Sequence, residues 1–151
     1  MRKISFLLLC LLLIVSMGFS YSVAIMITGE VGGNPIYEMM ANGAKEAAKE
    51  AGFDLKVVEG GYNTAKWEPN VISLAATGQY DLIVTFTEGM PKSVEKVAKM
   101  FPNQKLALLD GLAENLPNIF SLGFNDEEMS YLAGAFAGMV TTSDMKGANK
   151  D

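Results

Sequence analysis

Polar side chains that could contact a small solute lie at the ends of two short apolar runs of the sequence. Asp110 is the last residue of the run 105–110, Thr87 is the last residue of the run 82–87, and Glu88 follows Thr87 directly. Carboxylate and hydroxyl oxygens accept hydrogen bonds from the hydroxyl and amino groups of a ligand. Asp110 is therefore a candidate ligand contact, with an Asx-type turn or a cap as the alternative, and Thr87 and Glu88 are further candidates.

A second group of candidates follows the glycine-rich segment 29–33. Asn34 precedes Pro35, a pair that is typical of a helix start, with Asn34 as the capping residue. Tyr37 offers a flat ring on which a planar ligand could stack, although its position beside the apolar stripe of the helix allows partial burial instead. The segment 29–33 matches neither the dinucleotide fingerprint nor a P-loop. We expect either a plain turn there or a ligand contact without phosphate.

The composition excludes several classes of chemistry. The sequence has no histidine and one cysteine, which removes histidine-based triads, Cys/His zinc sites and an internal disulfide. Glu88 and Asp110 could be paired carboxylates for hydrolysis, but nothing in their spacing fixes their separation. We therefore expect a binding protein without catalytic residues, metal or cofactor, rather than a small α/β hydrolase or flavodoxin-like enzyme. The net charge of −5, without basic clusters, argues against a nucleic-acid partner.

The elements that position these residues alternate between short β-branched runs and helical patterns. Strands are predicted at 23–28, 55–58, 82–87, 105–110 and 118–124. Helices are predicted at 36–51, from Pro69 to Gly78, from Pro91 to Phe101, and from Asn125 or Asp126 onward. This order predicts βαβ units and an α/β fold with a doubly wound parallel sheet covered on both faces. Ligands then bind beyond the carboxyl ends of the strands, at the loops 29–35, 59–67, 87–90, 110–113 and 124–126.

Two helices carry apolar stripes that we expect to pack on this sheet. The stripe of the first helix consists of Ile36, Met39, Met40, Gly43, Ala44, Ala47, Ala48 and Ala51. The stripe of the last helix consists of Met129, Leu132, Ala133, Phe136 and Met139. Asp126, Glu127 and Glu128 complement the positive end of that last helix. Trp67 lies in a loop at the ligand edge, as either a lid residue or a packing anchor.

The N-terminus has the pattern of an export signal. Arg2 and Lys3 precede an apolar run over 4–15, which is too short to span a bilayer, and a small-x-small motif ends at Ser20. Residues 1–20 are thus predicted to be a signal peptide, with an uncleaved membrane anchor or a buried strand as alternatives. Leu9, before Cys10, is not the small residue of a lipid-attachment box, which argues against lipidation. We therefore expect an extracytoplasmic protein, and membrane association through this N-terminal segment is a further expectation.

Three stretches of the chain resemble the basic membrane protein family, the purine-nucleoside-receptor-like substrate-binding proteins of ABC transporters. The first is strand one followed by Gly33-Asn-Pro-Ile-Tyr-Glu38 and a helix with Asn42-Gly-Ala44. The second is the stretch 97–110, a helix with Phe101-Pro102 and a strand ending in Asp110. The third is the stretch 124–134, which is close to the family's Glu-x-x-aromatic-Leu-x-Gly motif.

The resemblance implies one lobe of a periplasmic binding protein of type I, with flavodoxin-like strand order. Residues 21–142 would form the ligand-binding lobe and 143–151 a linker toward a second lobe that this chain lacks. Asp110 matches the family's strand-end aspartate, and Tyr37 lies at or one position from its stacking aromatic, where Ile36 replaces a common phenylalanine. The implied ligand is a nucleoside or similar solute.

The resemblance also implies an ABC permease and an ATPase as partners. Because binding in this fold comes from closing two lobes over the ligand, one lobe alone is expected to bind weakly or not at all. An exported sensory or regulatory module of the same fold, without transport, is the alternative function.

Overall fold

The computed structural model of the chain describes residues 20–144. These residues form the strands β1 (Ser22–Ile27), β2 (Asp54–Glu59), β3 (Leu82–Phe86), β4 (Lys105–Leu109) and β5 (Ile119–Leu122). The α-helices are α1 (Pro35–Ala51), α2 (Trp67–Ala76), α3 (Pro91–Met100) and α4 (Asp126–Thr142), and a short 3₁₀ helix spans Thr64–Lys66. The predicted signal peptide and most of the predicted linker lie outside the described residues.

The strands form one sheet, in which every pair is parallel and the order is β2-β1-β3-β4-β5. The predicted doubly wound α/β fold with flavodoxin-like strand order is therefore confirmed. Because all five strands run in the same direction, their carboxyl ends meet at one edge of the sheet. β3 ends at Phe86 and β4 at Leu109, so that Thr87 and Asp110 lie in loops at this edge rather than in the strands as predicted.

The larger part of the core lies between the sheet and the helices α2 and α3. Fully buried side chains of three strands meet fully buried side chains of the two helices here: Met26, Ile83, Leu108, Val71, Val94 and Val97. The one buried hydroxyl among them, that of Thr85, donates to the carbonyl of Ala107 at 3.3 Å. This face of the sheet is apolar, closely packed and satisfied in its hydrogen bonds.

The helix α1 packs on the opposite face, but it is turned by about one residue from the predicted orientation. Ala41, which is 1% exposed, contacts the core residues Ile25 and Ile27 of β1. Ile36 and Met39, predicted to face inward, are 63% and 74% exposed. The predicted stripe consisted mainly of alanine and glycine, which carry little apolar area and fix the rotation of a helix poorly. The ring of Tyr37 lies on the inward face and adds the apolar area that the prediction omitted.

The helix α2 begins at Trp67, two residues before the predicted start at Pro69. The side chain of Asn63 accepts a hydrogen bond from the backbone N–H of Ala65 at 3.2 Å and caps the 3₁₀ helix, which runs directly into α2. Pro69 is tolerated in the first turn, where a backbone N–H has no partner within the helix.

The helix α4 begins at Asp126 as predicted, with the side chain of Asn125 accepting from the N–H of Glu128 at 3.4 Å. The prediction that its apolar stripe packs on the sheet is wrong for this structure. Along α4, every residue except Val140 is exposed. The sheet is correspondingly uncovered beside β5, where Phe120 is 61% exposed. Within residues 20–144, α1 alone covers this face, and it does so over β1 and β2.

A matched pair of alanines on α1 tests the orientation of this helix. Ala41→Leu adds volume to a buried position and is expected to lower the free energy of unfolding by about 1–3 kcal/mol. Ala47→Leu, on the predicted stripe but exposed, is expected to change it by less than about 0.5 kcal/mol. Urea unfolding of both variants measures the difference. If Ala47→Leu lowered the free energy of unfolding more than Ala41→Leu, the orientation predicted from the stripe would be correct.

Candidate functional site at the carboxyl edge of the sheet

The chain order reverses between the neighbouring strands β1 and β3. The connection after β1 leads to α1 on one face of the sheet, whereas α2 and α3 lie on the other face. The loops that follow β1 and β3 therefore lead toward opposite faces of the sheet. In open α/β sheets this switch point is where ligands bind.

The loop after β1 is held in place by hydrogen bonds at both ends. The side chain of Asn34 caps α1 by accepting from the N–H groups of Ile36 at 3.1 Å and Tyr37 at 3.4 Å. The carboxylate of Glu38 accepts from the N–H of Gly33 at 3.1 Å. These bonds satisfy backbone donors at the start of the helix, so the capping role predicted for Asn34 is present in the structure.

The same loop is also tied to the end of β2. The N–H of Val31 donates to the carboxylate of Glu59 at 3.1 Å, and the N–H of Gly61 donates to the carbonyl of Gly29 at 3.1 Å. The loops after β1 and β2 thus form one connected unit on this side of the switch point.

The side chain of Tyr37 turns back onto the sheet edge. Its hydroxyl donates to the carbonyl of Thr28 at 3.3 Å, and its ring lies directly over Gly29, where a Cβ atom would collide with it. The ring is half-buried among the apolar residues beneath α1. Partial burial, the alternative weighed from the sequence, is what the structure shows, and stacking of a ligand on Tyr37 stays a prediction.

Backbone strain is concentrated where β3 and β4 end. Thr87 and Asp110 have φ angles of 95° and 59°, and they are the two residues other than glycine with positive φ in the described part of the chain. Such conformations cost on the order of 1–3 kcal/mol each and persist when surrounding bonds fix them. The N–H of Thr87 donates to the carbonyl of Leu109 at 2.9 Å, which joins the two loops. A Cβ atom on Gly111 would approach the carbonyl oxygen of Thr87 to 3.1 Å, so this position requires a small residue.

An acidic cleft of about 280 Å³ lies beside these strained residues. Three carboxylates and the exposed ring of Phe124 line it, together with Pro91 and Leu112; the carboxylates are those of Glu88, Asp110 and Asp126. Its volume is near the lower limit of small-molecule pockets. With several hydrogen-bond acceptors and an aromatic ring, the cleft suits a ligand that has hydroxyl or amino donors and a planar part.

The carboxylates in this cleft influence one another. A hydrogen bond with Asp126 and the repulsion of its charge raise the pKa of Glu88 above the ordinary value of 4.5, and partial burial and the charge of Asp110 act in the same direction. The proton on Glu88 lets two acidic side chains share a hydrogen bond instead of repelling each other. The cleft can therefore both accept and donate hydrogen bonds over part of the acidic pH range.

The structure brings together some of the predicted site residues and separates others. Glu88 and Asp110 line the acidic cleft, and Thr87 adjoins it through the backbone. Asn34 and Tyr37 belong to the loop after β1 and do not line this cleft. The sequence did not identify Asp126 and Phe124 as site residues, although the loop 124–126 was expected at the ligand edge. Asp126 also suits the first turn of a helix, and that interpretation concealed its position in the cleft.

Trp67 is a packing anchor at the ligand edge. Its indole N–H donates to the carbonyl of Gly61 at 2.8 Å, and its ring lies against Gly60 and Gly89. The side chain thereby connects the loop after β2 with the loop after β3. Of the two roles predicted for Trp67, the structure shows the anchor.

Residues 20–144 contain no group of three or more acidic or sulfur ligands arranged to hold a metal ion. In the same residues, no helix combines the length and the apolar character that crossing a membrane requires.

Comparison with known proteins identifies the family of the chain. The Bmp family, described as ABC transporter substrate-binding protein PnrA-like, matches residues 20–150. The chain belongs to this family. The resemblance inferred from the three sequence stretches is thus confirmed.

Individual proteins and solved structures that resemble the chain agree with this assignment. The solved ABC transporter solute-binding protein from Aeropyrum pernix K1 is 30% identical at a TM-score of 0.71, and the match covers 80% of this chain and 33% of that chain. A solved fragment from Peptoclostridium difficile 630 is 28% identical at a TM-score of 0.57, with 79% of this chain and 98% of that fragment covered. An uncharacterised lipoprotein from Pyrococcus horikoshii is 30% identical over 124 residues, which are 77% of this chain and 29% of that protein.

The chain therefore spans about a third of the length of the Aeropyrum and Pyrococcus proteins that it matches. The solved neighbours include solute-binding proteins of the periplasmic type I fold, so the predicted type I lobe is confirmed.

Replacement of Gly29 tests the contact that positions Tyr37. Gly29→Ala is expected to lower the free energy of unfolding by about 1–3 kcal/mol, because the added Cβ collides with the ring. Gly32→Ala, with open space at its Cβ and no positive φ, is the matched control and should cost less than about 0.5 kcal/mol. In a Tyr37→Ala background the cost of Gly29→Ala should largely disappear. A cost that is unchanged in that background would contradict the assigned contact.

The raised pKa of Glu88 predicts a dependence of stability on pH. Because the folded state holds the Glu88 proton more tightly than the unfolded chain, this group stabilises the fold below its ordinary pKa of 4.5, and the contribution is lost as the pH rises through the raised value. Glu88→Gln keeps a donor toward Asp126 at every pH. The variant should therefore be more stable than the parent chain at neutral pH, with a difference that shrinks below about pH 4.5.

Urea unfolding between pH 4 and pH 8 measures this difference. Glu127→Gln removes the same charge one residue from Asp126 and serves as the control, since Glu127 does not line the acidic cleft. If the two variants change stability equally at every pH, the shared proton between Glu88 and Asp126 does not exist.

Proposed function

We propose that the chain forms one lobe of an extracytoplasmic solute-binding protein of an ABC importer, with a nucleoside as the favoured ligand. The observation that carries this proposal is the acidic, aromatic-lined cleft at the carboxyl edge of the sheet in a member of the Bmp family. The family description names a transport protein and favours neither the sensory alternative nor an enzyme.

The chemistry of the cleft supports a nucleoside over a nucleotide. Asp110 and Asp126 can accept hydrogen bonds from the hydroxyl groups of a ribose, and the exposed ring of Phe124 can stack on a base. No lysine or arginine is among the residues that line the cleft. Three carboxylates without a basic partner repel a phosphate group, so an uncharged solute fits better.

The fixed loops favour binding without rearrangement of this lobe. Thr87 and Asp110 adopt strained conformations, and the N–H of Thr87 is hydrogen-bonded to the carbonyl of Leu109. Trp67 connects the loops after β2 and β3. Ligand contacts that are already in place cost less conformational entropy on binding. A second lobe would supply the remaining contacts and exclude water, and the match that covers only 33% of the Aeropyrum protein is consistent with this.

Export and partners complete the proposal. The pattern of residues 1–20 supports a signal peptide, and an ABC permease and an ATPase are the partners expected of this family. The Pyrococcus relative is named a lipoprotein, which argues against extending the prediction of no lipid anchor to the family as a whole. Leu9 before Cys10 still argues against lipidation in this chain.

A titration of the chain with nucleosides tests this function. Adenosine, inosine and uridine are added to ¹⁵N-labelled chain up to millimolar concentration, with adenosine monophosphate as the charged comparison. Shifts in the amide signals of Glu88, Asp110 and Gly111 are expected with at least one nucleoside and smaller ones with the monophosphate. No shift with any nucleoside at these residues would overturn the nucleoside assignment.

Asp110→Asn isolates the role of the carboxylate in that titration. Asparagine tolerates the positive φ at this position, so the backbone should be preserved while the charge is lost. The dissociation constant is expected to rise about tenfold or more, since a hydrogen bond to a charged group contributes roughly 1.5–3 kcal/mol. Asp54→Asn, at the exposed start of β2 on the opposite edge, is the matched control and should leave binding unchanged.

A further inference from the structure

One carboxylate inside the lobe takes no part in the lining of the acidic cleft. Glu95 lies in α3, its side chain is 7% exposed, and it is the one charged residue within 20–144 that is buried. A buried charge is costly unless it is paired and hydrogen-bonded. An apolar residue could fill the same place without that cost, so the contacts of this carboxylate show what its charge contributes.

Each oxygen of the Glu95 carboxylate has its own partner. Oε2 accepts a hydrogen bond from the ammonium group of Lys92 at 2.9 Å, and Oε1 accepts one from the backbone N–H of Glu114 at 3.0 Å. The bond from Lys92 and then the bond from the N–H of Glu114 hold the pKa of Glu95 below its ordinary value of 4.5. The charges of Lys92 and Lys99 act in the same direction, and burial opposes them. Glu95 is therefore ionised at neutral pH, and its bond to the N–H of Glu114 is charge-assisted.

The bond to Glu114 fastens a loop that contains no helix. Residues 110–118 join β4 to β5, which are parallel neighbours, so the loop runs back from the carboxyl edge of the sheet to the opposite edge. Side chains supply the hydrogen bonds that a helix would otherwise make. The N–H of Ala113 donates to the hydroxyl of Ser121 at 3.2 Å, and the side-chain amide of Asn118 donates to three carbonyls at and just after the end of α3.

Glu95 connects two walls of the acidic cleft. One wall contains Pro91, the first residue of α3, and the other is the segment 110–112 of the loop. Glu95 lies about one helical turn after Pro91, and Glu114 lies just beyond the segment 110–112. The bond between Glu95 and Glu114 therefore fixes the position of this segment relative to α3.

The ion pairs around this bond are weaker anchors. The carboxylate of Glu114 lies 3.1 Å from the ammonium group of Lys99 and 3.8 Å from that of Lys92, and more than half of each of these side chains is exposed. Exposed pairs of this kind contribute little to stability, because water and salt screen them. The buried bond from the N–H of Glu114 to Glu95 is thus the contact that holds the middle of the loop on α3.

We propose that Glu95 is a positioning residue of the acidic cleft, which holds the segment 110–112 in place for the ligand through the backbone of Glu114. The effect on the ligand rests on the proposed function, whereas the effect on the loop is a property of the lobe alone. Without this bond the segment samples several positions, and Asp110 no longer meets the ligand in one geometry. Binding then weakens although no ligand contact has been removed, because the ligand must order the loop.

Three variants separate this role from simple packing. Glu95→Met keeps the length of the side chain and fills the buried place, but its thioether is only a weak acceptor for the N–H of Glu114. Glu95→Gln is the conservative variant, since its amide oxygen can still accept from that N–H while Lys92, whose side chain is 83% exposed, turns to water. Glu68→Met is the matched control, because Glu68 also pairs with a lysine of α3, Lys96, but this pair joins α2 to α3 and not the loop.

Amide hydrogen exchange of the ligand-free chain tests the hold on the loop. The rates at Glu114 and Gly111 are divided by the rate at Ile83, a fully buried residue of β3, so that a general loss of stability cancels. Glu95→Met is expected to speed exchange by at least about tenfold at Glu114 and also at Gly111, whose N–H donates to the carbonyl of Leu122. Glu95→Gln and Glu68→Met should stay within about threefold of the parent chain. Unchanged exchange at Glu114, or faster exchange at Glu114 alone, would overturn the proposal.

The nucleoside titration, repeated with the same variants, tests the effect on the ligand. The dissociation constant is expected to rise at least about fivefold in Glu95→Met and to stay within about twofold in Glu95→Gln and Glu68→Met. If exchange at Gly111 becomes faster while the dissociation constant is unchanged, Glu95 supports the loop without positioning it for the ligand, and the proposal is wrong. If the parent chain binds no nucleoside, the proposed function fails, and the exchange rates by themselves decide whether Glu95 holds this wall of the cleft.

Discussion

Parallel pairing of β1 with β3 and of β3 with β4 is the constraint on which the rest of the structure depends. These three central strands carry most of the buried side chains, and their common direction places the ends of β3 and β4 side by side. The bond from the N–H of Thr87 to the carbonyl of Leu109 continues the pairing into the loops. Every group in the acidic cleft is positioned relative to this fixed edge, which makes the site a consequence of the register of the sheet.

The helices cover the two faces of the sheet unequally. One face is sealed by α2 and α3, whose fully buried side chains form the main core. The other face is sealed by α1 over β1 and β2 and stays apolar and open over the remaining strands. The ligand edge is anchored mainly to the sealed side, so a change in what covers the open side need not disturb the strands that end at the cleft.

Much of the fold could be predicted from the sequence, because buried strands and capped helices leave strong local signals. The parallel α/β fold followed from the βαβ alternation, and the strand order followed from the family resemblance. The ends of α1 followed from Asn34, Pro35 and Gly52, which has a φ of 72°. The rotation of α1 was less accessible, since alanine and glycine give a weak apolar signal. The exposure of α4 could not be inferred, because its stripe looks the same whether it meets its own sheet or another surface. In the site, Glu88 and Asp110 were predictable from strand ends, whereas Asp126 was hidden by its role at a helix start.

The position of Trp67 gives the protein a built-in optical reporter. The sequence contains one tryptophan, and its indole ring is hydrogen-bonded to Gly61 and lies against Gly60 and Gly89, beneath two loops of the ligand edge. Indole fluorescence shifts in wavelength and intensity when the hydration of the ring changes. Emission from the unlabelled chain therefore reads the state of these two loops directly, without interference from a second tryptophan elsewhere in the sequence.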